Sequence, residues 1–229
     1  MRRGDFEQAV ARHEQSLKIA RETGEQLAIA YGLFSEATIF YARRDYDATM
    51  QRFEESFRVM KAIGARGYYG YVFSYLACVY ARLGQRARCL KVARNHFKNV
   101  HALGGSDVEN GRTHMAVALA LAAGTPPAAL APLLDELGKL TGVEASPEAY
   151  FDRAIAVARE ANYINTLIPA LREYASYLCR KDPGLAKLAR SMLREAHRRA
   201  SQAGLQLEQE RIADVAGTYA IELENGGSD

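Results

Sequence analysis

Residues 4–24 read GDFEQAVARHEQSLKIARETG, and the chain repeats this pattern every 40 residues. Shifted by 40, Leu17 falls on Phe57, Phe97 and Leu137, and Val10 falls on Met50, Leu90 and Leu130. Ala9, Thr49, Cys89 and Ala129 form a column of small residues beside them. Gly24 falls on Gly64 and Gly104, and Gly4 on Arg44, Gly84 and Gly124. Several registers held in phase over successive units mark an internal repeat. Within each unit apolar residues recur at helical spacing: Phe6, Val10, His13, Leu17 and Ala20, then Tyr46, Met50, Phe53, Phe57 and Met60. The glycine columns follow runs of helix formers, where a residue able to take positive φ closes a helix. One such helical pair cannot bury its apolar face alone, so it stacks on the next. The pattern predicts an all-α solenoid of tandem hairpins, with hairpins beginning near Gln26, Gly64 and Gly104.

The totals agree with that reading. The chain has 229 residues, 48% hydrophobic and 25% charged, as ordinary globular proteins do. A formal net charge of +3 is too small to imply nucleic-acid binding. Cys78, Cys89 and Cys179 lie inside helical patterns without metal-ligand spacing, which reads as reduced thiols in a cytoplasmic protein. The start, MRRGDFEQAVARHEQ, is polar throughout, and no uninterrupted apolar run reaches the roughly 18 residues of a membrane span. No Gly-x-Ser-x-Gly, phosphate-cradling Gly-x-x-x-x-Gly-Lys, His-Glu-x-x-His or Cys-x-x-Cys occurs, so no catalytic, cofactor or metal chemistry is implied. His13 and His96 fall on or beside packing columns and read as core or half-buried imidazoles.

Residues 4–24 resemble the second helix of a tetratricopeptide repeat, in which a Gly-x-aromatic opening is followed by small residues; here these are Gly4, Phe6, Ala9 and Ser16. YVFSYLACVYARLG (71–84) is similar to the first helix, with Phe73 as the large aromatic, Leu76-Ala77 as the Leu-Gly pair and Tyr80 as the later aromatic. The family's common period is shorter, and a 40-residue period resembles its longer-helix variants. Two positions depart from the pattern: Glu36 stands where the first helix usually has leucine, and Arg44 replaces the turn glycine. The resemblance implies a right-handed superhelical stack whose task is to hold a protein or peptide, as the sensor or adaptor segment of a larger cytoplasmic signalling protein. A regulatory domain that takes a small signal molecule and controls an attached ATPase, cyclase or transcription-factor module is the alternative. Neither nucleic acid nor membrane is expected as a partner.

The repeats cover residues 1–141, and the register fails after Gly124. Degenerate helical repeats and a capping helix follow over 142–223, and 224–229 reads as a disordered tail. PEAYFDRAIAVAREA (147–161) resembles a second helix where alternation requires a first. Gly4-Asp5-Phe6 opens a second helix, so the pattern points to a solenoid cut between two helices; a natural start capped by this helix is the other reading. A cut end would leave the first repeat open to self-association.

Carried over from the family, the concave wall is Tyr31, Phe34, Thr38 and Tyr41, then Tyr71, Ser74, Cys78 and Arg82, then His114, Ala118 and Leu121. It implies an aromatic groove with one cation, suited to apolar anchors and an occasional carboxylate. A second feature is a basic stripe, Lys187, Arg190, Arg194 and Arg198, at three- and four-residue steps. No aromatics interleave with it, which argues against single-stranded nucleic acid. It reads as a solvated face or a dock for an acidic partner. Six acids and one base over 204–229 also offer it neutralisation within the chain.

Overall fold

The computed structural model describes residues 3–103 and 107–223. Among these there are eleven α-helices and no strand: α1 (Arg3–Thr23), α2 (Gln26–Ala42), α3 (Tyr46–Ala62), α4 (Tyr69–Arg82), α5 (Arg86–Leu103), α6 (Asp107–Ala122), α7 (Ala131–Thr141), α8 (Pro147–Glu160), α9 (Ile164–Lys181), α10 (Ala186–Gln202) and α11 (Gln206–Thr218). Gly104, the third member of its glycine column, and the tail 224–229 lie outside the described residues.

The 40-residue period appears as recurring helix ends. α2, α4 and α6 end at Ala42, Arg82 and Ala122, and the turns after them hold Arg44 at φ 63°, Gly84 at φ 69° and Gly124 at φ 118°. After α2 and α4 the chain closes with a hydrogen bond from an amide back to a carbonyl five residues earlier: Asp45 to Phe40 at 3.0 Å and Gln85 to Tyr80 at 2.8 Å. The same closure follows α3 (Ala65 to Met60), α8 (Tyr163 to Ala158) and α10 (Leu205 to Ala200). It satisfies a helix-end carbonyl that has no partner inside the helix, and it needs one residue of positive φ. Arg44 and Asn162 take that conformation with side chains in place.

α2 pairs with α3, α4 with α5, and α9 with α10. Two buried bonds 40 residues apart lock the first two pairs in one geometry: Ser56 Oγ donates to the Ala30 carbonyl at 2.8 Å, and His96 Nδ1 meets the Gly70 carbonyl at 3.2 Å. The core runs continuously along the chain, with Leu33, Phe53, Met60, Leu90, Leu137, Tyr150, Phe151, Leu171 and Leu193 fully buried. α6 does not pair with the helix that follows it. It packs against α8, while α7 lies against α5. α8 therefore takes the second-helix place its sequence resembles, and α7 is an addition between the two members of a pair.

Glu36, the departure from leucine, is buried at 1% exposure. Arg52 Nε stands 2.9 Å from its carboxylate, and burial holds the carboxyl above the usual range despite that cation. A charge therefore sits at the α2–α3 seam where the repeat pattern places a methyl-rich side chain. The left-handed turn after α2 is open to a direct test. Arg44→Gly is expected to raise the unfolding free energy by roughly 0.5–1 kcal/mol, the Cβ strain relieved less glycine's added unfolded-state entropy. Gly84→Ala should lower it by a similar amount; urea denaturation of both variants checks the pair.

Candidate functional site

The first helices of the pairs (α2, α4, α6 and α9) and the last helix, α11, surround one cavity of about 170 Å³. Its wall carries Thr38 and Tyr41 from α2, Tyr75 and Arg82 from α4, Arg112 and Met115 from α6, Arg172 from α9, and Glu208 and Arg211 from α11. A chain of alternating charges runs around it. Arg82 Nη2 donates to Glu173 Oε1 at 2.7 Å, and Arg172 Nη2 donates to the same oxygen at 2.9 Å. Arg172 also pairs with Glu208, which accepts from Arg211 Nη1 at 2.7 Å. Arg211 then donates to the Ala42 carbonyl at the end of α2. Burial pushes the Glu173 carboxyl up, but the flanking guanidinium groups of Arg82 and Arg172 outweigh it and hold the group at about 2. The Glu173 carboxylate stays ionised throughout the physiological range.

Arg112 is different. It is 4% exposed, its guanidinium lies 3.9 Å from the Tyr75 ring centroid, and it donates to Ser74 Oγ at 3.4 Å and Tyr163 Oη at 3.3 Å. Those acceptors are neutral. Among the described residues no carboxylate stands within ion-pair distance of it.

The residues expected on the concave wall separate into three groups. Thr38, Tyr41 and Arg82 line the cavity. Arg82 is not the free cation expected there, because Glu173 of the same chain already occupies it. Tyr31 and Tyr71 are 42% and 41% exposed and stand clear of the cavity, linked through Tyr68 by ring contacts of 5.1 and 6.5 Å. Phe34 is half-buried between Phe53, Tyr71 and Tyr75.

Ser74, Cys78 and His114 are buried and offer a partner no surface. The physical reason is that α4 and α6 each have a neighbouring helix on that side. Cys78 Sγ donates to the Arg112 carbonyl at 3.6 Å across the α4–α6 seam, and His114 lies between the rings of Phe97 and Tyr150. Ala118 and Leu121 are buried as well. On α4 and α6 the face toward the cavity is one residue further along, at Tyr75 and Met115. Burial also pushes the thiols of Cys78 and Cys89 up, which keeps both protonated.

Arg112, Arg172 and Arg211 carry the site's charge, and repeat reasoning passes over all three. A lone arginine before the apolar run HMAVALALA was the available signal for Arg112. On α10 the basic stripe remains at the surface, with Lys187, Arg190 and Arg198 exposed and Arg194 Nε donating to the Glu222 carbonyl at 3.2 Å. The α11 carboxylate Glu208 turns inward to Arg172 and Arg211, away from that stripe. Among the described residues no group of three His, Cys, Asp or Glu side chains is placed to hold a metal ion, and no helix is long and apolar enough to cross a membrane. No protein-family model matches the chain, and no curated protein does.

The buried imidazoles make stability depend on pH. Burial lowers His96 to about 4 and His114 to about 3, against roughly 6.5 in an unfolded chain. Their contribution is complete above the unfolded value. It is lost as the pH falls, because the unfolded chain takes up protons that the folded one refuses. His114→Phe is expected to reduce the stability lost between about pH 7 and pH 5 by about 2 kcal/mol, read from denaturation at each pH. An unchanged loss would show that the fold does not hold His114 neutral.

Proposed function

We propose that this protein is a binding module of the tetratricopeptide-repeat kind, a right-handed superhelical stack of hairpins that holds a protein or peptide partner. The recurrence of helix ends and of the Ser56 and His96 bonds at 40-residue spacing supports the family resemblance. The observation that carries the binding role is the tyrosine surface at the N-terminal ends of α2 and α4. Tyr31 meets Tyr68 edge to face there and Tyr68 meets Tyr71 at a tilt, with Tyr31 and Tyr71 each offering more than a third of its surface to solvent. Tyrosine rings give large contact area at low entropic cost, and a partner's apolar side chains stack on them while the hydroxyls remain wet. The reading places the module in the cytoplasm, as a sensor or adaptor segment of a larger signalling protein. Unpaired thiols at Cys78, Cys89 and Cys179 support a reducing compartment.

Tyr41 is not suited to a surface test, because its ring packs on Tyr75 inside the cavity wall at 5.4 Å. The discriminating variant is Tyr31→Ala with Tyr71→Ala. Immobilised on beads and exposed to lysate of its own cells, the parent chain should retain a specific partner that the double variant retains at least about tenfold less. The thermal midpoint of the variant should stay within a few degrees of the parent. Equal capture by both chains sinks the tyrosine assignment, and unfolding of the variant makes these rings structural.

A further inference from the structure

The central cavity stands apart from the tyrosine surface, and its chemistry does not depend on that reading. Five arginines (Arg44, Arg82, Arg112, Arg172 and Arg211) line a space whose wall carries one carboxylate, Glu208, while Glu173, outside that lining, pairs with Arg82 and Arg172. Both carboxylates are engaged by arginines on either side of them. The charge balance is therefore positive: of the two lining arginines these carboxylates do not engage, Arg44 is exposed, and Arg112 is the buried cation left over. An arginine keeps its proton in any protein environment, so it cannot escape burial by turning neutral. A charge held away from water among neutral partners is costly unless a counter-charge reaches it. The Tyr75 ring face and two long hydrogen bonds to hydroxyls offset part of that cost. They supply no negative charge.

We propose that this cavity is a binding site for one small oxyanion, a phosphate or a carboxylate group, seated against Arg112. The size fits that class. At about 170 Å³ the space is well below that of a drug-sized ligand pocket, so it admits an ion or the charged end of a longer molecule. The donors fit it too: a planar guanidinium presents paired N–H groups to two oxygens at once, and Thr38 and Tyr41 bring hydroxyl-bearing side chains to the wall. Because α2, α4, α6, α9 and α11 each contribute wall residues, an occupied site cross-links helices from α2 to the last, α11. Occupancy therefore shows as stability of the whole chain.

The test measures thermal midpoints at fixed pH and fixed ionic strength, exchanging sodium chloride for inorganic phosphate in one arm and for succinate in the other. The expected result is a saturable rise of roughly 3–6 °C at ten times the dissociation constant. A rise with phosphate alone assigns the site to phosphoryl groups, and a rise with succinate alone assigns it to carboxylates. Arg112→Gln should abolish the rise, whereas Arg198→Gln on the outer stripe should leave it unchanged. If Arg112→Gln does not fold, arginine side-chain NMR of the unmodified protein decides. The Arg112 Nε–Hε signal should then shift with the same saturation curve, and the Arg190 and Arg198 signals should not. A rise that is absent in both arms, one that does not saturate, or one that persists in Arg112→Gln overturns the proposal.

Discussion

The bond from the Arg211 guanidinium to the Ala42 carbonyl joins residues 169 positions apart in sequence, and the interior of the molecule depends on it. A row of helical pairs has two free ends, and contacts between neighbours alone leave those ends apart. Here α11 returns to the end of α2, held on its other side to α9 through Glu208 and Arg172. The inner faces of the first helices then look at one another across a narrow space rather than at bulk water. That proximity lowers the local dielectric, so every charge in the space acts more strongly on the others. The depressed Glu173 carboxyl and an Arg112 whose partners are all neutral belong to this same interior.

Much of the fold was legible because a helix end has a local chemical signature. The glycines at 24, 64, 84 and 124 all take positive φ, and Arg44 takes it in the same register without being glycine. Small residues at Thr49 and Cys89 are buried where the columns placed them. The pairing of α6 with α8 was half legible: residues 147–161 carry a second-helix pattern, but no rule of alternation lets the partner skip a helix. The site was less legible. Periodicity separates buried from exposed faces, and α4 and α6 bury most of their circumference. With a neighbour on nearly every side, the turn from Ser74 to Tyr75 decides between a seam and the cavity. Only the relative rotation of packed helices settles that, and it is set by contacts far apart in sequence.

Charge on the outer face of α10 and charge inside the closed stack behave differently for the same reason. On α10, Arg190 and Arg198 keep their solvent shells and are screened within about a nanometre at ordinary salt. Inside, Arg112 has lost that shell and has only π-electrons and hydroxyls in exchange. A sequence count treats these arginines alike. Their effects on the folded molecule are of different kinds, one tuning association at long range and the other tied to the integrity of the interior.

Helix α7 lies against α5, while α6 and α8 complete their pair without it. Chain length between Ala122 and Pro147 is thereby uncoupled from the spacing of the inner helices. The turns after α1, α2, α4, α8 and α10 are short, and their geometry fixes the helix that follows, so an added residue there would rotate it. The turns flanking α7, over 123–127 and 142–146, are the splice points of the architecture: a tether or a reporter grafted into either leaves the distances around the interior as they are.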